Sequence, residues 1–223
     1  MAATDYDRFP RLMLTYDIRR RLAPALLADM LAIEACAAII LYDSGDKAEE
    51  AVFQKAAEPL VPLIRNCGLP VLIAENSSLC GRLKADGVHI EEQDAQSPEI
   101  LADMRRKYGE KRLLGYGNPH NRHNALEAGE ERPDYMFFGK LGKDKNPAPH
   151  PRNVALGAWW AAIVQIDCII QAGSALASLA GLAATQADFI AVEEAVFAAS
   201  DPPAALAQAQ NLLARRVQTG QEI

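Results

Sequence analysis

Eight short, nearly continuous apolar runs punctuate this chain, each closing on polar or glycine residues and followed by a stretch of helical length. They fall at about 11–16, 37–42, 69–74, 86–90, 112–116, 134–139, 166–172 and 187–192. A strand with one wet face alternates apolar and polar residues. Runs without polar breaks suit strands covered on both faces, as in a parallel sheet wrapped by helices. Eight such units predict a (β/α)8 TIM barrel of the α/β class, with 1–223 as one domain. Barrel chemistry gathers at the carboxyl ends of the strands, so the residues just after each run are the candidates for function.

A chain of 223 residues lies near the short end of the barrel range and is long enough for one core. Its 50% hydrophobic and 23% charged content is that of a globular protein rather than a disordered one. A net charge of −6 argues against a general nucleic-acid binder, which carries a basic face. Cys36, Cys67, Cys80 and Cys168 show no C-x-x-C spacing and lie in or beside apolar segments. Free buried thiols in a reducing cytoplasm are expected. The opening MAATDYDRFPR carries acids and no apolar core, unlike a signal peptide. The most apolar region, 161–184, is broken by Gln165, Asp167, Gln171, Gly173 and Ser174, which speaks against a membrane span.

Helical spacing fills the gaps. Pro24 is placed to open one helix, and 47–66 reads as a second, kinked or broken by Pro59 and Pro62. Ser97-Pro98-Glu99 has the form of a third helix start, with Gly109 past its end. Further helices are expected over 153–164, 174–184 and 203–217, with a frayed tail QTGQEI. The segment 75–85 allows only a compact crossover.

The strand ends carry several groups with chemical potential. Asn76, Glu92 and Asp94 follow neighbouring runs and supply the oxygen donors that Mg²⁺ favours; as solvated or capping residues they need no metal. Arg19, Arg20 and Arg21 follow the first run and suit a phosphate, or simply a basic turn. Lys140, Lys143 and Lys145 stand in a glycine-containing loop able to close over an anion. Gly173 and Ser174 precede a helix, where backbone N–H groups can face a phosphate; Glu193 and Glu194 after the last run would repel one. His120 and His123 lie three apart, and His120 is the candidate for proton transfer. His89 alternates with Val88 and Ile90 toward the barrel interior, and Trp159-Trp160 suits the barrel wall.

Several segments together resemble the thiamine phosphate synthase and TenI family of barrels. They are LPVLIAEN at 69–76, ADGVHIEEQD at 85–94, LLGYGNPHNRHNALEA at 113–128, PDYMFFGKL at 133–141, WWAAIVQIDCIIQAG at 159–173 and ADFIAVEEAVFAASDP at 187–202. The resemblance implies a homodimer that joins a hydroxymethylpyrimidine diphosphate to a thiazole phosphate with Mg²⁺. Asp94 would be a metal ligand and Gly173 part of the phosphate site.

The chain also departs from the family pattern. Glu75-Asn76 stands for an asparagine-aspartate pair, and Ile40, Tyr42 and Ser44 stand for glutamine, arginine and lysine. Gly142-Lys143-Asp144-Lys145 replaces a threonine-rich loop; Ser174 replaces a glycine and Glu194 a serine. Three functions follow as expectations: a synthase with weak or altered activity, a TenI-like thiazole tautomerase using His120, or a barrel that binds a small ligand without catalysis. In the last, Glu193 and Glu194 would attract an amine or aminopyrimidine.

Overall fold

The computed structural model describes residues 10–45, 50–92 and 99–215. Eight strands close into a barrel in chain order: β1 (Arg11–Asp17), β2 (Cys36–Tyr42), β3 (Val71–Ala74), β4 (Gly87–Glu91), β5 (Leu113–Gly117), β6 (Tyr135–Phe138), β7 (Asp167–Gln171) and β8 (Phe189–Val192). Every neighbouring pair is parallel, and Leu12 beside Ile190 closes the ring between β1 and β8. All eight predicted runs become strands. The third begins at Val71 rather than 69; Pro70 has no N–H to donate, but its carbonyl accepts from Ile39 at 3.0 Å.

Two cores explain why the runs lack polar breaks. Met13, Ile40, Leu72, Phe137, Ile169 and Ala191 fill the barrel interior. The alternate positions, among them Leu14, Ile39, Ile73, Val88 and Ile170, pack outward against the helices. His89 is a fully buried polar member of the interior. Its ring stacks on Tyr135, Nδ1 lies 3.0 Å from the Tyr135 hydroxyl, and burial pushes its pKa down to about 3. Gly117 makes the room, since a Cβ there would lie 2.7 Å from His89 Nε2.

The surrounding helices are α1 (Pro24–Leu31), α2 (Glu50–Ala57), α3 (Leu60–Asn66), α4 (Ser77–Leu83), α5 (Glu99–Tyr108), α6 (Arg122–Glu130), α7 (Pro151–Ile163), α8 (Leu179–Leu182), α9 (Glu194–Phe197) and α10 (Pro202–Arg215). The expected 47–66 helix is two helices divided at Glu58-Pro59, while Pro62 sits in the first turn of α3, where no donor is lost. The compact crossover is α4, seven residues capped by the Asn76 side chain, which accepts from Leu79 N at 2.8 Å. The 174–184 helix is mostly absent: a 3-10 turn at Leu176–Ser178 precedes the four residues of α8. Gly109 ends α5 at φ +57°, while Ser97, Pro98 and the tail QTGQEI lie outside the described residues.

All four cysteines are free, but Cys67 is exposed rather than buried, because it sits in the surface turn that follows α3. Trp160 is fully buried and donates to Ile166 O at 3.0 Å; Trp159 is half-buried beneath the Arg122 guanidinium. Among the described residues no helix is long and apolar enough to cross a membrane.

Candidate active site at the carboxyl end of the barrel

Glu193, the residue after β8, points into the mouth of the barrel and is 1% exposed. The Tyr42 hydroxyl sits 2.7 and 2.8 Å from its two oxygens, Thr15 Oγ1 donates to it at 3.1 Å, and Arg20 donates from Nε and Nη2 at 3.1 and 3.0 Å. Burial pushes the Glu193 carboxyl up, opposed by the hydrogen bonds from Tyr42 and Arg20. Glu194 takes Arg20 Nη2 and Lys145 Nζ, and the hydrogen bonds from Lys145 and Arg20 hold its carboxyl below the usual range. Both carboxylates are therefore engaged by cations of the protein itself. This arrangement does not offer the open acidic niche expected for an amine ligand.

The loop after β6 crosses the mouth as a strap. Lys140 N donates to Gln171 Oε1 at 2.9 Å and Leu141 N to Glu91 Oε1 at 2.6 Å. Leu141 packs against the barrel-interior core, and Gly142 passes over Tyr42 in the left-handed region at φ +72°. Asp144 Oδ2 accepts from Glu194 N at 2.7 Å. The carbonyls of Asn146 and Pro147 accept from Ser174 N and Ala175 N at 2.7 and 3.2 Å, and Ser174 Oγ donates to Lys145 O at 3.1 Å. Gly173 permits this seating: a Cβ there would lie 2.3 Å from Pro147 O. Gly173 N donates to Ser178 Oγ at 3.2 Å.

On the other side of the mouth, Glu92 is buried after β4. Its Oε1 lies 3.0 Å from His120 Nδ1 and also accepts from Asn124 Nδ2, while Oε2 is buried without a partner among the described residues. Asn118, in the left-handed region at φ +58°, donates to Glu92 O at 3.4 Å. Glu91 reaches the strap, and burial pushes its pKa up to about 7, with Glu75 adding to the rise. Glu75 Oε1 in turn accepts from Glu91 N.

The structure distributes the sequence candidates unevenly. Arg20, Lys145, Glu193 and Glu194 converge, as do Glu92 and His120. Arg19 instead pairs with Asp43 through Nε and Nη2, and Arg21 is an exposed turn residue at φ +50°. Lys140 and Lys143 are exposed on the strap. His123 pairs with Glu127 at 3.3 Å on the surface of α6, not with His120.

Two of the three oxygen donors suggested for Mg²⁺ make contacts within the protein. Asn76 caps α4 and donates to Glu50 at 2.9 Å, Glu92 holds His120, and Asp94 lies outside the described residues. Among the described residues there is no group of three or more His, Cys, Asp or Glu that could hold a metal ion, and Asp94 is not among the residues described. Thr15, Glu91 and Asp144 escaped the sequence reading, which also took Tyr42 only as a lost cation. Inward parity at the strand ends was a usable signal for Thr15, Tyr42 and Glu91. Asp144 had none, because only the path of the strap brings it to β8.

Comparison with known proteins fits this mouth into a lineage. The thiamine-phosphate synthase of Erythrobacter litoralis is 32% identical over 164 residues, 72% of this chain and 75% of that protein. The thiamine-phosphate synthase of Chloroflexus aurantiacus is 32% identical over 189 residues, 82% of each. A thiamine phosphate pyrophosphorylase structure from Pyrococcus furiosus superposes with a TM-score of 0.71 at 19% identity, over 94% of this chain and 97% of that one. A tryptophan synthase structure from Mycobacterium tuberculosis superposes at 0.69 with 12% identity, over 93% and 94%. Those structures share the fold, and the sequence match is narrower: the family described as thiamine monophosphate synthase matches residues 16–196, from the end of β1 to α9. The chain belongs to the thiamine monophosphate synthase family.

Proposed function

We propose that this protein is a thiamine-phosphate synthase-type transferase, joining hydroxymethylpyrimidine diphosphate to thiazole phosphate with release of pyrophosphate. The observation that carries this reading is the family match across residues 16–196, which spans the ends of all eight strands and so the whole mouth. In the reaction the thiazole nitrogen forms a bond to the pyrimidine methylene carbon as the bond from that carbon to the diphosphate oxygen breaks. No proton need move. The protein's work is positioning and stabilisation of the charge that develops on the leaving diphosphate. Arg20 and Lys145 are the cations held at the mouth by Glu193 and Glu194, and Lys140 and Lys143 lie exposed on the strap. Mg²⁺, when bound with the substrate, would supply counter-charge to the diphosphate.

The test is direct: both substrates and Mg²⁺ are incubated with the purified protein, and thiamine phosphate and pyrophosphate are measured together. Equimolar appearance of both is expected. Absence of product, together with no binding heat for the pyrimidine diphosphate at millimolar concentration, removes the reading.

A second reading draws on the His120 Nδ1 to Glu92 Oε1 contact of 3.0 Å. A histidine oriented by a buried carboxylate is equipped to transfer a proton, as a thiazole phosphate tautomerase requires. Isomerisation of thiazole phosphate that survives His120→Ala would end it.

A further inference from the structure

We propose that residues 140–148 are a self-docked strap that a phosphorylated ligand must displace, with the Asp144 carboxylate standing where the ligand's phosphate would bind. This rests on the phosphate-using reading above. In barrels the loops after the seventh and eighth strands commonly bind phosphate together through backbone N–H groups. Here the corresponding donors, Ser174 N, Ala175 N and Glu194 N, are all taken by one segment of the same chain, through Asn146 O, Pro147 O and Asp144 Oδ2. An anionic oxygen on Glu194 N is the kind of partner a phosphate would supply.

Two features make the docked state exchangeable rather than permanent. Asp144 is 5% exposed, yet its Oδ1 has no hydrogen-bond partner among the described residues, and its charge adds to the upward push on the buried Glu193 carboxyl. A buried carboxylate that is half satisfied and close to another acid carries a cost that its departure relieves. The strap is also tied to the mouth by polar contacts at both flanks, through Glu91 and Gln171 at one and the segment after β7 at the other. Lifting it frees the N–H groups of Ser174, Ala175 and Glu194 together and releases Lys145 from Glu194. The free protein therefore binds phosphate with an affinity reduced by the fraction of time the strap is docked.

Hydrogen exchange and calorimetry on the full chain, with inorganic phosphate as the probe, test this. In the wild type, saturating phosphate should speed exchange at the amides of Lys140 and Leu141 at least fivefold while the barrel strands stay unchanged. Asp144→Ala should speed the same amides without ligand and tighten phosphate binding about tenfold. The proposal is overturned if Asp144→Ala binds phosphate no more tightly than the wild type, or if phosphate binds the wild type without altering those amides. It is equally overturned if neither protein binds phosphate. Should Asp144→Ala not fold, the wild-type exchange experiment decides alone. A responsive strap without thiamine phosphate formation would remove the synthase reading and leave the strap standing; product formation with an unresponsive strap would do the reverse.

Discussion

Arg20 grips Glu193 with two nitrogens, Nε at 3.1 Å and Nη2 at 3.0 Å, and so binds the turn after β1 to the end of β8 across the seam that closes the barrel. The Glu193 side chain is fully buried and that of Arg20 is 20% exposed. Removing one partner of such a pair strands a charge out of water, which costs far more than the pair's net contribution. Arg20→Ala is expected to lower stability by about 3–5 kcal/mol in chemical denaturation. Arg20→Lys should recover only part of this, since an ammonium cannot present two fixed donors to the one carboxylate. Tyr42→Phe removes one hydrogen bond from the same carboxylate and should cost about 1–3 kcal/mol. Equal stability of Arg20→Ala and the wild type would mean that water reaches Glu193.

Glu91 makes stability depend on pH in the direction opposite to most carboxylates. Its pKa stands near 7 in the folded protein against an ordinary 4.5, chiefly because of burial. Between those values the folded state holds a proton that the unfolded state has lost, so this group's contribution is complete below about 4.5 and is lost as pH rises through 7. A shift of this size is worth roughly 3 kcal/mol. Glu194, whose carboxyl is held low by Lys145 and Arg20, acts in the other sense and loses its contribution as pH falls. The difference between Glu91→Gln and the wild type isolates the first effect. The variant should gain stability relative to the wild type as pH rises from 4.5 to 7, and parallel pH profiles would contradict the assignment.

How far the sequence could be read followed from the physics of each element. The barrel was legible because a strand buried on both faces leaves an uninterrupted apolar run, and all eight runs became strands. His89 was legible by parity with Val88 and Ile90. The division of 47–66 at Pro59 was half legible, since proline marks a break without saying whether the chain kinks or ends. The mouth was harder. Arg19, Arg20 and Arg21 are adjacent in sequence, yet one pairs with Asp43, one with Glu193 and Glu194, and one sits exposed in a turn. Adjacent residues on a tight turn diverge, and which carboxylate each meets is decided by β2 and β8. Glu193 and Glu194 read as a repulsive pair because their cations, Arg20 and Lys145, lie 173 and 49 residues away in the chain. Asp144 was illegible for the same reason.

The buried pair of His89 and Tyr135 gives a further stability prediction, independent of the mouth. With Nε2 of His89 already lacking a partner, the 3.0 Å contact at Nδ1 is the ring's one hydrogen bond among the described residues. Tyr135→Phe keeps the stacked ring and removes only the hydroxyl, so it leaves the imidazole fully unsatisfied. A loss of about 1–3 kcal/mol is expected in thermal or chemical unfolding. Because His89 titrates far below its ordinary range, the wild type should also lose stability as pH falls below 6.5, where the unfolded imidazole takes up a proton that the folded one refuses.

His120 separates the two enzymatic readings. Coupling a thiazole nitrogen to a pyrimidine methylene transfers no proton, so His120→Ala should leave the rate of thiamine phosphate formation within a few-fold of the wild type. Tautomerisation of a thiazole phosphate, by contrast, needs a proton taken and returned, and loss of a positioned acid–base group costs about 10²–10⁴-fold. Glu92→Gln provides the companion measurement. Its Oε1 orients His120 from a buried position, so the amide should reduce an isomerisation rate, with the loss in kcat rather than KM, while coupling is again spared. A large fall in coupling for either variant would place the pair against the bound pyrimidine or its diphosphate instead. The outcome thus assigns this side of the mouth either to proton transfer or to substrate positioning.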